Sequence, residues 1–332
     1  MNVEGGLMEK RISIQKYFPT ASKIVYGCMG LGAVHKENSS LSNEDIITAQ
    51  GIVECALECG INFFDHADIY RRGSAELAFG KVLKNSPQLR AQMIIQSKCG
   101  IRVKHGDNFG CYDFSGDWVT HSVEGILKRM NIEYLDVLML HRPDPLMELE
   151  ELANTIGSLK LSGKINHLAV SNMNLHQVSL LQSALDMPII SNQIEMSLAK
   201  LDWLDDGVMV GSKGNHMVDF VSGTLEHCHL NNIQLQAWGS LSKGIFCEQG
   251  LYSSNQNVRN TSELVKQLSN KYQVESEAIV LAFLMRHPAG IQPVIGTTNE
   301  NRIRNSVSAL DIHLDRNDWY NLYVSARGVA LP

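Results

Sequence analysis

The sequence predicts an α/β protein, a single closed (β/α)8 TIM barrel running through residues 1–332. Three observations predict it. Short apolar runs alternate with longer helical patterns along nearly the whole chain, which implies parallel strands joined by right-handed crossovers. About eight such units fit into roughly 300 residues with no linker or low-complexity segment between them. Polar residues that look out of place also fall repeatedly at the C-terminal ends of the apolar runs, the face on which barrel sites are built. A doubly wound sheet is the competing arrangement that periodicity alone leaves open.

The elements follow in order. Ile24–Tyr26 is a short apolar run entering the glycine-rich segment Gly27–Gly32. Asn43–Cys59 has a helical pattern, capped by Ser42 or Asn43 and stopped by Gly60. Strand Ile61–Asp65 precedes helix Ala75–Lys84, and strand Met93–Lys98 precedes helix Asp117–Met130. Strand Leu135–His141 leads to helix Glu148–Leu161, closed by Gly163. Ile165–Ser171 and Ile189–Gln193 are strands, with helix His176–Ala184 between them. Ala199–Ser222, rich in glycine and aspartate, reads as a long loop or lid after the sixth strand. A helix around Val221–Leu230 precedes strand Ile233–Trp238. Ser262–Tyr272 and Glu275–Arg286 are helices, Gln292–Ile295 is the last strand, and Glu300–Ala309 is the helix after it. Residues 1–20 read as an N-terminal extension.

Composition narrows the function. The chain is 44% hydrophobic and 19% charged, with a net charge of −6. This is an ordinary soluble balance that argues against nucleic acid as the main partner. No apolar run reaches the ~18–20 residues of a membrane span, and MNVEGGLMEKR has no apolar signal-peptide region. Cys28, Cys55, Cys59, Cys99, Cys111, Cys228 and Cys247 are scattered without a CxxC pair. They read as free thiols in the cytoplasm, with Cys55 and Cys59 packing on one helical face.

At the strand ends stand Asp65, Lys98, His141, Ser171 with Asn172, Gln193, Trp238 and Gly296. Each has an ordinary reading. Asp65 can cap the next segment, Lys98 can snorkel, His141 can be a core histidine, and Tyr70 can pack on the rim. A barrel brings Asp65, Tyr70, Lys98 and His141 to one mouth, where together they compose a proton-donating site. An ammonium beside a phenol stabilises the phenolate and lowers its pKa, a carboxylate holds the ammonium, and an imidazole directs a carbonyl oxygen. The hydride must come from a cofactor. Asp65, His66, Asp68 and His141 also invite a metal-hydrolase reading, but no HxH pair or bridging carboxylate set accompanies them, and no metal site is assigned.

At these motifs the chain resembles the aldo-keto reductase family from Gly27 to about Leu314. They read FFDHADIYRRGSAELAFGKVL, IIQSKCG, LDVLMLHRPDP, SGKINHLAVSN, ISNQIEMS, AWGSLSKG and PVIGTT. HADIY and HRPDPLM are similar to the YdhF-like group of bacterial oxidoreductases. The resemblance implies a (β/α)8 barrel that binds NADPH across its mouth and reduces a small aldehyde or ketone to an alcohol. It makes Asp65, Tyr70, Lys98 and His141 the catalytic tetrad, with Tyr70 as proton donor. It assigns Ser171, Asn172 and Gln193 to the nicotinamide carboxamide and Trp238 to stacking on the nicotinamide ring. Gly27, Met29 and the loop Gly239, Ser240, Leu241, Ser242, Lys243 and Gly244 become further cofactor contacts. Gly296, Thr297, Thr298 and Arg302 fall at the adenosine 2′-phosphate, and Arg302 favours NADP over NAD. Asn305 and Ser306 stand where the family has an acidic residue and an amide. Gly27–Gly32 lacks the dinucleotide fingerprint spacing of a Rossmann fold. Some proteins of this fold sense a nucleotide with little turnover, and that is the alternative function.

Overall fold

The computed structural model describes residues 11–32, 41–104, 109–210, 212 and 218–332. Eight parallel strands close into a barrel, with helices in the connections. We number them β1 (Val25–Gly27), β2 (Phe63–Asp65), β3 (Ile94–Cys99), β4 (Leu135–Leu140), β5 (Ile165–Ser171), β6 (Ile189–Glu195), β7 (Gln234–Trp238) and β8 (Gln292–Ile295). Closure comes from β1 pairing with β8, Val25 opposite Val294, and with β2, Val25 opposite Phe63. The doubly wound competitor is thereby excluded.

The strands are almost continuously apolar because both of their faces are buried. Outward residues such as Phe64, Ile95, Leu138 and Val170 pack beneath the helices in one large core. Inward residues form a separate apolar layer of Val25, Phe63, Ile94, Val137, Met139, Ala169 and Ile190. Ile14 and Ala21 belong to that inner layer. The segment before β1 is therefore no appendage in its described part. Its short 3-10 turn Ser13–Lys16 closes the barrel floor, and the Ile14 amide donates to Gln234 Oε1 at 3.2 Å. Residues 1–10 lie outside the described residues.

Most helix bounds agree with expectation to within a few residues. Ser42 does cap the first helix, Asn43–Glu58, accepting from the Asp45 amide. Three differences have local causes. The helix Gln256–Tyr272 begins six residues before the expected Ser262, because Asn255 caps a polar first turn that apolar spacing cannot reveal. The chain ends on an unanticipated helix, Arg316–Arg327, capped by Asp315 and anchored by buried Leu322 and Tyr323. The stretch read as a loop at 199–222 contains the helix Asp202–Val208, held by buried Trp203 and Leu204. Positions 211 and 213–217 of that stretch lie outside the described residues. Among the described residues no helix is long and apolar enough to cross a membrane.

Candidate active site at the barrel mouth

The four expected catalytic residues converge. Asp65 ends β2, Lys98 lies one residue from the end of β3, and His141 follows β4. Tyr70 is delivered by the β2 connection, whose Asp68 amide bonds to Lys98 O at 3.0 Å. The chain then turns through Arg71 and Arg72 at φ of 47° and 55°, a left-handed region that side chains occupy at a cost. Arg71 Nε donates to Met29 O at 3.2 Å, tying this turn to the rim after β1.

Lys98 Nζ donates to both Asp65 oxygens, at 2.7 and 2.6 Å, to His66 O at 3.0 Å and to the Tyr70 hydroxyl at 3.0 Å. Burial works most strongly against the charge on Lys98, but Asp65 and Tyr70 together outweigh it and hold the ammonium pKa above its usual value. For Tyr70 the balance falls the other way. Burial raises the phenol pKa more than Lys98 lowers it, so the net position is above the ordinary value. The lowering expected from the ammonium is present, and burial overrides it. The phenol therefore stays protonated through neutrality. Burial, with Lys98 and Arg142, pushes His141 down to about 3, so its imidazole is neutral. Its ring meets Tyr70 edge-on at 6.2 Å.

The residues expected at a cofactor form three groups. Among those expected around a nicotinamide, Trp238 Nε1 donates to Asn172 Oδ1 at 3.0 Å, and Asn172 Nδ2 donates to Ser171 Oγ at 2.7 Å. Ser171 Oγ in turn donates to Gln193 O at 2.8 Å. Gln193 faces the interior because the β5–β6 pairing slips between Leu168–Ile189 and Val170–Asn192, reversing the alternation along β6. The second group is the turn after β7. Gly239, Ser242, Lys243 and Gly244 all have positive φ, and Ser240 Oγ anchors the turn on Val294 O at 2.7 Å. The third follows β8. Gly296, Thr297 and Thr298 lead into helix Glu300–Val307, which carries Arg302 in its first turn and Asn305 beyond it. Gly27 lies against β8, where a Cβ would come within 3.0 Å of Val294 Cγ1, and Met29 is exposed on the rim. A cleft of about 310 Å³ opens beside Trp238, walled by Arg142, Asn172, Ile194, Lys200 and Phe220. The late part of the expected lid, at Asp219–Val221, forms one side of it.

Sequence reasoning missed two polar clusters. Gln96, Gln236 and Gln292 sit inside the barrel below the tetrad. Mid-strand amides in the apolar runs MIIQSK, IQLQAW and IQPVIG were the available signal. Behind Tyr70, buried Glu76 accepts from Ser97 Oγ at 2.6 Å and from Arg129 Nε at 2.7 Å. Neighbouring Asp68 is pushed up to about 7 by burial and by Glu76.

His66 is fully buried, neither ring nitrogen has a hydrogen-bond partner, and burial with Lys98 lowers its pKa to about 3. The unfolded chain titrates near ~6.5, so this histidine's stability contribution is present above that pH and is lost as pH falls toward the folded value. His66→Leu is expected to raise stability at neutral pH by about 1 kcal/mol, since two unsatisfied polar atoms disappear. It should also flatten the acid-side loss, leaving the part due to His141. Thermal melts of both proteins between neutrality and acid pH test this, and an unchanged slope would count against it.

A buried ammonium between a carboxylate and a phenol, at the C-terminal mouth of a (β/α)8 barrel, defines a barrel oxidoreductase by fold and site. The aldo/keto reductase family model matches residues 23–323. The chain is 34% identical to a 6-dehydroglucose reductase of Agrobacterium fabrum over 317 residues, covering 92% of this chain and 95% of that one. It is 31% identical to the oxidoreductase YdhF of Escherichia coli over 327 residues, covering 98% and 100%. An aldo/keto reductase of Klebsiella pneumoniae, solved with NADP and acetate, superposes with a TM-score of 0.67 at 18% identity, covering 91% of this chain and 90% of that one. The chain belongs to the aldo/keto reductase family.

Proposed function

We propose that this protein is an NADPH-dependent reductase of a small aldehyde or ketone, with Tyr70 as proton donor. One observation carries the reading: Lys98 Nζ lies 3.0 Å from the Tyr70 hydroxyl while bonded to both oxygens of Asp65. A carbonyl oxygen between Tyr70 and neutral His141 accepts a hydrogen bond from each. As negative charge builds on that oxygen, the Tyr70 proton moves to it, and Lys98 steadies the incipient phenolate. Asp65 keeps Lys98 charged and aimed. NADPH, when bound, supplies the hydride.

The residues present fit a dinucleotide. The positive-φ turn 239–244 is closed on itself by the Ser242 and Gly244 amides, which donate to Gly239 O at 2.8 Å and Leu241 O at 2.7 Å, and it carries exposed Lys243 as a cation for a phosphate. Trp238 offers a ring face at the mouth, braced through Asn172. Arg302 is 65% exposed and only loosely paired with Glu277 at 3.8 Å, leaving its guanidinium available to a phosphate. Preference for NADP over NAD rests on Arg302. Arg302→Ala is therefore expected to raise KM for NADPH on the order of tenfold to a hundredfold, with KM for NADH nearly unchanged.

The test is NADPH oxidation against a panel of aldehydes, ketones and quinones. Sugar-derived aldehydes belong on it, because the cleft beside Trp238 is lined by Arg142, Lys200 and Asp202 and one relative is a 6-dehydroglucose reductase. Turnover on the panel supports the reading. Tight NADPH binding with no oxidation across it would favour a nucleotide-sensing role instead.

A further inference from the structure

We propose that Gln96 is a positioning residue for the proton-donating centre, and that it sets how much of the Asp65 charge reaches Lys98 and Tyr70. The inference rests on the tetrad reading above. Gln96 is fully buried inside the barrel and gives both N–H groups away. One goes to Asp65 Oδ1 at 2.6 Å and the other to Gln236 Oε1 at 3.1 Å. Its own Oε1 is buried with no partner among the described residues. An amide free to choose would turn that oxygen toward a donor. A carboxylate accepts only, so Asp65 dictates which end of Gln96 it meets.

The orientation is enforced from the far side as well. Gln236 Nε2 donates to Gln292 Oε1 at 3.0 Å, and Gln292 Nε2 donates to Ser22 O at 2.7 Å. A main-chain carbonyl, like a carboxylate, can only accept. The row of amides thus runs between two fixed acceptors, from the barrel floor to Asp65, which fixes the donor ends of Gln96 and Gln292. Gln193 Nε2 also donates to Gln236 Oε1, at 3.1 Å, so that oxygen keeps a partner if Gln96 is removed.

The consequence for Tyr70 has a definite sign. The Gln96 N–H takes up part of the Asp65 negative charge. Without it the carboxylate presents more charge to Lys98, and Lys98 does less for the phenolate. Tyr70 then ionises at higher pH. Reduction, which uses the protonated phenol, extends further into alkali, and alcohol oxidation, which uses the phenolate, slows. The other titratable groups coupled to this centre are Cys28 after β1, His66 after β2, buried Glu76 in the helix Ser74–Asn85 and His141 after β4, and the substitution leaves all four in place.

Gln96→Met keeps the length and removes the donor. Its tyrosinate absorbance, taken as a pH-difference spectrum against Tyr70→Phe, should place Tyr70 ionisation about one pH unit higher than in the wild type. Oxidation of a simple benzylic alcohol with NADP should fall about tenfold at fixed pH, with NADPH affinity retained. Gln96→Glu covers the case in which the methionine variant fails to fold. As a carboxylic acid it donates to Asp65 as the amide does. As a carboxylate it adds negative charge beside Asp65, so alcohol oxidation should approach wild type at acid pH and fall below it as this carboxyl ionises. A wild-type Tyr70 midpoint in Gln96→Met, or a wild-type pH profile in Gln96→Glu, overturns the assignment. Undiminished turnover in Tyr70→Phe would overturn the proton-donor reading itself, whichever way the Gln96 variants behave.

Discussion

Tyr70→Phe is expected to lower aldehyde reduction by about 10²–10⁴-fold, the usual contribution of a positioned acid, while changing NADPH affinity by no more than about twofold. The phenylalanine ring keeps the packing, including the face over which Lys98 Nζ sits 4.9 Å from the centroid. Only the hydroxyl is lost, and Lys98 retains Asp65 and the His66 carbonyl as partners. Little instability should therefore accompany the loss of rate. The pH profile supplies an independent check. Because burial outweighs Lys98 and holds the Tyr70 pKa above its ordinary value, wild-type reduction should stay flat through neutrality and decline only when the phenol ionises in alkali. Oxidation of the alcohol should rise over that same alkaline range. The residual activity of Tyr70→Phe should lack both limbs. Steady-state rates in both directions measure this, and a preserved alkaline limb in the variant would assign the ionisation to another group.

What could be read from residues alone divides along physical lines. The barrel was legible because buried parallel strands are apolar on both faces, and because out-of-place polar residues recurred at the same end of successive strands. Asp65, Lys98 and His141 were singled out by that rule. Tyr70 is carried by a connection and gained its place only through its company. Helix Arg316–Arg327 has a start signal in Asp315, but its stripe of buried residues is too sparse to stand out. Helix Asp202–Val208 is shorter than any periodicity can establish. The net direction of the Tyr70 pKa was not legible because sequence supplies the neighbouring charge but not the depth of burial, and burial is the larger effect. The amides of Gln96, Gln236 and Gln292 were visible as single anomalies. Their connection depends on which strands adjoin across the closed barrel, and Gln193 joins them only through the slip in β6 pairing.

Lys98→Met is expected to be both inactive and strongly destabilised. The side chains of Lys98 and Asp65 are 1% and 2% exposed. Removing one member of a buried ion pair strands the other charge and costs about 3–5 kcal/mol. Here Asp65 would retain only the Gln96 amide as a partner among the contacts described above. Adding Asp65→Asn removes the stranded charge, and an asparagine can still offer its oxygen to Gln96. The double variant should accordingly regain most of the lost stability, giving a coupling of at least about 2 kcal/mol in a double-mutant cycle by chemical denaturation. Turnover should not return with it, because nothing then steadies the phenolate as Tyr70 gives up its proton. Stability and activity come apart in the double variant only if the pair serves the chemistry rather than the fold. A double variant as unstable as Lys98→Met would mean that Asp65 is not the source of the penalty. One that regained turnover would mean that the ammonium is dispensable to proton transfer.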